Sequence, residues 1–158
     1  IAKGGHALLD LAAVSVLRER LLPLASIITP NLPEAAALLG CAEAQSEDQM
    51  RQQGRQLLAA GAKAVLMKGG HLGGESCPDW LITPDEEVGF PAARIATRHT
   101  HGTGCTLSAA LTALRPQCAD WPETVDQAKA WLLKAIGEAD RLAVGHGIGP
   151  VHHFHQWW

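Results

Sequence analysis

Two glycines and a cysteine stand together in Thr100-His101-Gly102-Thr103-Gly104-Cys105-Thr106, directly ahead of a long apolar stretch with helical spacing. A helix start leaves several backbone N–H groups without partners and carries about half a positive charge, and two glycines let a phosphate approach the main chain closely. Gly102, Thr103 and Gly104 are therefore a candidate anion cradle; the alternative is that the glycines only relieve a tight loop. Cys105 falls in the first turn of that helix, where the same field favours a thiolate, which makes it a candidate base or nucleophile. The competing reading is a small buried hydrophobe. Neither standard nucleotide fingerprint fits. The chain lacks Gly-x-x-x-x-Gly-Lys-Ser/Thr, and Leu107 stands where a dinucleotide turn needs Gly or Ala.

A second group lies in Thr29-Pro30-Asn31-Leu32-Pro33-Glu34-Ala35, just after a short β-type run. Asn31 and Glu34 have the spacing of a capping box, which needs no function. Glu34 is equally a candidate oxygen ligand for Mg²⁺ beside a phosphate, because ligands collect at the carboxyl ends of strands in open α/β sheets. Both readings stand together. Lys68, followed by Gly69-Gly70-His71, puts a cation and a flexible main chain at another strand exit, where a phosphate contact competes with a plain solvated lysine. His152, His153 and His155 lack the partner carboxylate or cysteine pattern of a metal site. Trp157 and Trp158 read as a packed or partner-contacting tail.

The elements that must position these residues alternate in type. Leu8 to Leu22 is apolar at helical spacing, and Ser26 to Thr29 is a short β-type run closed by Pro30. Pro33 to Leu39 reads as helix ending at Gly40, and Ser46 with Gln49 opens a capping-box helix to Ala60, stopped by Gly61. Ala64 to Met67 is a buried strand. Asp79 to Thr83 and Glu87 to Phe90 form a hairpin around Pro84 to Glu86. Cys105 to Leu114 is apolar nearly all round, as in a helix buried against a sheet, and Val125, Ala128, Leu132, Ala135, Ala139 and Leu142 mark an amphipathic helix begun near Pro122. Strand and helix in alternation predict an α/β fold with a mostly parallel sheet.

Composition narrows the class. The 158 residues are 47% hydrophobic and 18% charged, which excludes a disordered chain and fits a single domain with a sizeable core. A net charge of -3 and no basic stripe argue against nucleic acid as partner. The absence of an 18-residue apolar run argues against a membrane span. Cys41, Cys77, Cys105 and Cys118 form no C-x-x-C pair or regular framework, so reduced thiols in a cytoplasm are expected. Ile1 in place of Met, with no sign of processing, reads as a chain cut upstream.

Taken with Met67-Lys68-Gly69-Gly70-His71 and Gly145-His146-Gly147-Ile148-Gly149-Pro150-Val151, the two motifs above resemble, in order and spacing, the hydroxymethylpyrimidine and phosphomethylpyrimidine kinases of thiamine biosynthesis. The resemblance runs along essentially the whole chain. It implies a ribokinase-like fold, a central mainly parallel sheet between helical layers, with residues 1–158 as the C-terminal portion of one kinase domain. It implies two successive ATP-dependent phosphorylations, of the small pyrimidine alcohol and of its monophosphate, with Mg²⁺ as the metal. By resemblance, Gly102, Thr103, Gly104 and Cys105 are the anion hole with Cys105 as base, Asn31 and Glu34 serve Mg²⁺ and phosphate, and Lys68, Gly69 and Gly70 lie on the nucleotide side. Family members commonly pair as homodimers.

The sequence departs from the pattern in two places. Ala2-Lys3-Gly4-Gly5-His6 stands where the family usually has Ala-Lys-Ser-Gly-Asp, and His99 replaces an Asn or Asp before the Thr-His-Gly-Thr-Gly-Cys run. A part-sheet leaves an open edge, so weak or absent turnover by these residues alone is expected. The alternatives are a pyridoxal-type kinase of the same superfamily and a non-catalytic nucleotide-binding remnant. A ribokinase-type sugar kinase fits less well, because those usually carry Asp where Cys105 stands.

Overall fold

The computed structural model describes residues 10–158, and the chain divides into two compact units, 1–94 and 95–158. The segment Ala2 to His6 and the first residues of the Leu8 to Leu22 helix lie outside the described residues.

In the first unit Asp10 caps helix α1 (Leu11–Val16), its carboxylate accepting from the Ala13 N–H at 2.7 Å. The expected single helix to Leu22 changes pitch instead. A wide π turn over Leu17–Leu21 and a 3-10 turn over Leu22–Leu24 follow α1, with Pro23 in that last turn, where its missing N–H stops a longer helix. The chain then runs extended beside strand β1 (Val65–Lys68). Ile28 pairs with Val65 and Asn31 with Lys68, both in parallel, through Leu66 N–H to Ile28 O at 2.8 Å and Lys68 N–H to Pro30 O at 3.0 Å. Helices α2 (Leu32–Leu39) and α3 (Glu47–Ala59) make the crossover between these two extended segments. As expected, α2 ends on Gly40, whose φ of +68° is the left-handed value that glycine tolerates.

Strands β2 (Asp79–Ile82) and β3 (Glu87–Phe90) form the expected hairpin, and β1, β2 and β3 pair antiparallel in that order. The Thr83 hydroxyl accepts from the Asp85 and Glu86 N–H groups at 3.3 and 3.1 Å, which turns the chain. Parallel pairing is thus carried by residues 28–31 against β1, while the hairpin widens the sheet on the other side of β1. Beneath it Leu32, Met50, Leu57, Val65, Met67 and Ile82 form a dry core. Gly54 has a packing reason inside α3: a Cβ there would collide with Ile82 Cδ1, so its helix-propensity cost of about 1 kcal/mol is accepted for close helix–sheet approach.

In the second unit helix α4 (Thr103–Leu114) packs on α5 (Trp121–Gly137), which Asp120 caps through the Glu123 N–H at 2.9 Å. The predicted stripe is buried at Val125, Ala128, Leu132 and Ala135, and Ala139 follows in a 3-10 turn, Ala139–Arg141, because α5 itself stops at Gly137. One expectation needs correction: α4 is not buried all round. Thr106, Leu107 and Leu111 are buried, but Cys105, Ala109, Thr112 and Ala113 are exposed. Small side chains made the exposed face look apolar in sequence while giving it little area to bury.

Candidate active site

Candidate residues lie in both units. In the first, the extended chain after Pro30 turns into α2 at Asn31. Asn31 Oδ1 accepts from the Glu34 N–H, and Glu34 Oε2 accepts from the Asn31 N–H, both at 2.8 Å, so the capping box read from sequence is complete. The parallel pairing of Asn31 with Lys68 brings the second strand exit alongside, and Lys68 Nζ lies 3.9 Å from Glu34 Oε2. Both side chains are partly exposed. Asn31, Glu34 and Lys68 therefore converge.

The two glycines after Lys68 differ in their reasons. The Gly69 N–H donates to Asp79 Oδ1 at 3.0 Å, and a Cβ on Gly69 would strike the Pro78 carbonyl oxygen. Main-chain packing alone demands glycine there. Gly70 has open space around it. Arg94, which sequence reasoning missed, organises the loop that follows: its guanidinium donates to the carbonyls of Gly70, Leu72 and Gly74 at 3.0, 2.6 and 2.9 Å. An arginine 20 or more residues away from its partners leaves no local signal.

Magnesium commonly takes one or two carboxylates, with water and phosphate oxygens completing the shell. Glu34 is a partly exposed oxygen donor, and among the described residues no three His, Cys, Asp or Glu side chains form a metal cage. That donor set suits an ion carried in with a phosphate. Of the three C-terminal histidines, His153 Nε2 lies 2.9 Å from Thr106 Oγ1 and His155 Nδ1 lies 3.0 Å from the His152 carbonyl, while the His152 ring is buried against Trp158.

In the second unit Gly102 opens α4 at φ +78°, a left-handed conformation that favours glycine. No side chain caps this start. The Thr103 hydroxyl turns back to the Thr100 carbonyl at 2.7 Å, and Thr106 N–H closes the first helical bond to Gly102 O at 2.9 Å. Cys105 is an exposed thiol in the first turn, so the buried-hydrophobe reading does not hold. The Gly145-to-Val151 motif docks beside this loop: His101 pairs in parallel with Pro150, and its N–H donates to Gly149 O at 3.0 Å. Two motifs separated by some forty residues thus meet at one helix start.

The family model described as phosphomethylpyrimidine kinase matches residues 1–152. The chain belongs to this family. The hydroxymethylpyrimidine/phosphomethylpyrimidine kinase of Escherichia coli is 62% identical over all 158 residues, which span 59% of that relative's length. A Bacillus subtilis pyridoxal kinase solved as an ADP complex superposes with a TM-score of 0.87 at 35% identity, over 99% of this chain and 58% of its own. A Staphylococcus aureus pyridoxal kinase, solved in complex with AMP-PCP and pyridoxal, gives a TM-score of 0.88 at 28% identity, over 97% of this chain and 56% of its own. The ribokinase-like fold class expected from the motifs is therefore the fold of this phosphomethylpyrimidine kinase family chain. Among its described residues no helix is long and apolar enough to cross a membrane.

Proposed function

We propose that this chain works as part of an ATP-dependent kinase that phosphorylates 4-amino-5-hydroxymethyl-2-methylpyrimidine and then its monophosphate, on the way to thiamine diphosphate. The observation that carries the reading is the exposed Cys105 thiol at the start of α4, directly behind Gly102 and Gly104. The alcohol oxygen attacks the γ-phosphorus of ATP, the bond from that phosphorus to the β–γ bridging oxygen breaks, and ADP leaves. The hydroxyl proton passes to the Cys105 thiolate. First-turn amides between Gly102 and Cys105 offset the charge gathering on the phosphoryl oxygens, a contribution that helix geometry supplies without rearrangement. In the first unit, Lys68 contributes a cation and Glu34 would hold Mg²⁺ with Asn31 orienting its carboxylate. When bound, that ion would neutralise phosphate charge.

The pyrimidine is favoured over pyridoxal because the matching family model and the 62% identical relative are named for it, whereas the pyridoxal kinases stand at 28 and 35% identity. The test is a full-length kinase in which these 158 residues replace the matching segment of the Escherichia coli relative. Formation of the pyrimidine mono- and diphosphate from ATP, with kcat/KM well above that for pyridoxal, is expected. Preference for pyridoxal would transfer the assignment to that alcohol, and nucleotide binding without transfer would leave a binding module.

A further inference from the structure

Within residues 95–158 a single imidazole joins the loops on either side of the α4 start. His99 Nδ1 accepts from the Gly149 backbone N–H at 2.8 Å. A neutral imidazole has one acceptor nitrogen, so this bond assigns the ring proton to Nε2. The fit is close: a Cβ on Gly149 would stand 2.5 Å from Nδ1 and 3.1 Å from Cγ, so the ring rests on bare main chain. Gly149 also works in the other direction, its carbonyl accepting from His101 N–H at 3.0 Å. His101 immediately precedes Gly102. The acceptor on His99 is thus linked through Gly149 and His101 to the residue whose left-handed conformation starts the anion loop.

The groups facing the ring on its other side are charged. Asp140 Oδ1 lies 3.9 Å from Nε2, and the Thr97 hydroxyl holds that carboxylate at 2.5 Å while accepting from the His99 N–H at 3.1 Å. Arg98 Nε lies 3.4 Å from the same Nε2. With Nε2 protonated this is a contact between two donors, so the shorter Gly149 bond decides the tautomer. Glu138 and Arg141, from the stretch around Asp140, pair with each other at 3.0 Å. Asp140 and Arg98 thus face the ring with opposite charges.

Resting on the kinase reading above, we propose that His99 is a positioning residue for phosphoryl transfer: in its neutral form it holds Gly149, and through Gly149 and His101 it sets the anion loop Gly102–Gly104. A proton added from solvent to Nδ1 turns the acceptor into a donor facing the Gly149 N–H, and the link opens. Uptake of that proton therefore loosens the loop. Asparagine at this position offers a side-chain oxygen acceptor that does not titrate.

The test uses the full-length kinase described above, labelled with ¹⁵N at histidine and glycine, and its His99→Asn variant. Expected at neutral pH is a His99 ring protonated at Nε2, with the Gly149 amide resonance following the ring's titration in the parent and remaining flat in the variant. The ratio of kcat/KM at pH 5.5 to that at 7.5 should be about fivefold to tenfold lower in the parent than in His99→Asn, the worth of one hydrogen bond. A neutral ring protonated at Nδ1, or a Gly149 amide that titrates equally in both proteins, would overturn the link, and the first needs no variant to fold. Superimposable activity profiles would overturn the catalytic role even with the link intact. A parent without kinase activity would overturn the proposed function and the catalytic role together, while the resonances still decide the link.

Discussion

At the scale of single residues, exposure separates the roles of the cysteines. Cys118 is buried, whereas Cys105 is exposed in the first turn of α4. If that thiol takes the substrate proton, Cys105→Ala in the full-length kinase should lower kcat by about 10² to 10⁴, the usual worth of a positioned base, with ATP affinity nearly unchanged. Steady-state kinetics beside nucleotide-binding calorimetry would show it, and an unaltered kcat would remove Cys105 from the chemistry. Gly102→Ala acts differently, by forcing a side chain to φ +78°. The strain is about 1 kcal/mol or more, read as a lowered melting midpoint together with weakened turnover. The local geometry was legible in sequence where its signal is local: Asn31 with Glu34 is a capping pattern three residues apart, and Gly-x-Gly before an apolar run marks a helix start. Asp79, Arg94 and His99 were not, because each acts on main chain 10 to 50 residues away, and such a partner is set only by the folded path of the chain.

At the scale of elements, α3 is held to strand β3 by Glu87, whose carboxylate meets Arg51 at 2.8 Å and Arg55 at 2.6 Å, while Arg51 also lies over the Trp80 ring at 4.6 Å. The hydrogen bond from Arg55 holds the Glu87 carboxyl below its ordinary value of 4.5, with Arg51 adding to the effect against a smaller opposing cost of burial. A depressed folded-state value means that the unfolded chain binds the proton more readily. The contribution to stability is therefore complete above the unfolded value and disappears as pH falls through the folded one. Because the arginines are substantially exposed, it amounts to about 1 kcal/mol or less. Urea midpoints of the protein and its Glu87→Gln variant should differ at pH 7 and converge as the pH falls through the folded-state value, which lies under 4.5; a constant gap would contradict the assignment. Helices α2 and α3 were legible because period, cap and stop agree, and α5 through its stripe and its start near Pro122, whereas its end at Gly137 carried no stop signal. The break after Val16 was not legible, since Pro23 was the one residue of that stretch to mark it and the pitch changes six residues earlier.

At the scale of the whole molecule, charge and exposed apolar surface set opposite tendencies. The formal charge is only -3 at pH 7, and the composition puts net neutrality near pH 6.2. Near that pH the repulsion that keeps copies apart vanishes. Phe154, Trp157 and Trp158 are 60, 73 and 65% exposed; Trp157 rests edge-on against Phe154, and Trp158 against the buried His152 ring. The tail read from sequence as either packed or partner-contacting is thus packed on one side and bare on the other, and alternation of apolar residues could not have separated those faces. Light scattering should rise as pH falls from 8 to about 6, by several-fold at fixed concentration, and Trp157→Gln should reduce the rise without lowering the melting midpoint. A rise unaffected by that substitution would place the contact elsewhere on the surface. Dilution separates this association from opening of the His99–Gly149 link: intermolecular association fades as protein concentration falls, whereas the intramolecular opening does not.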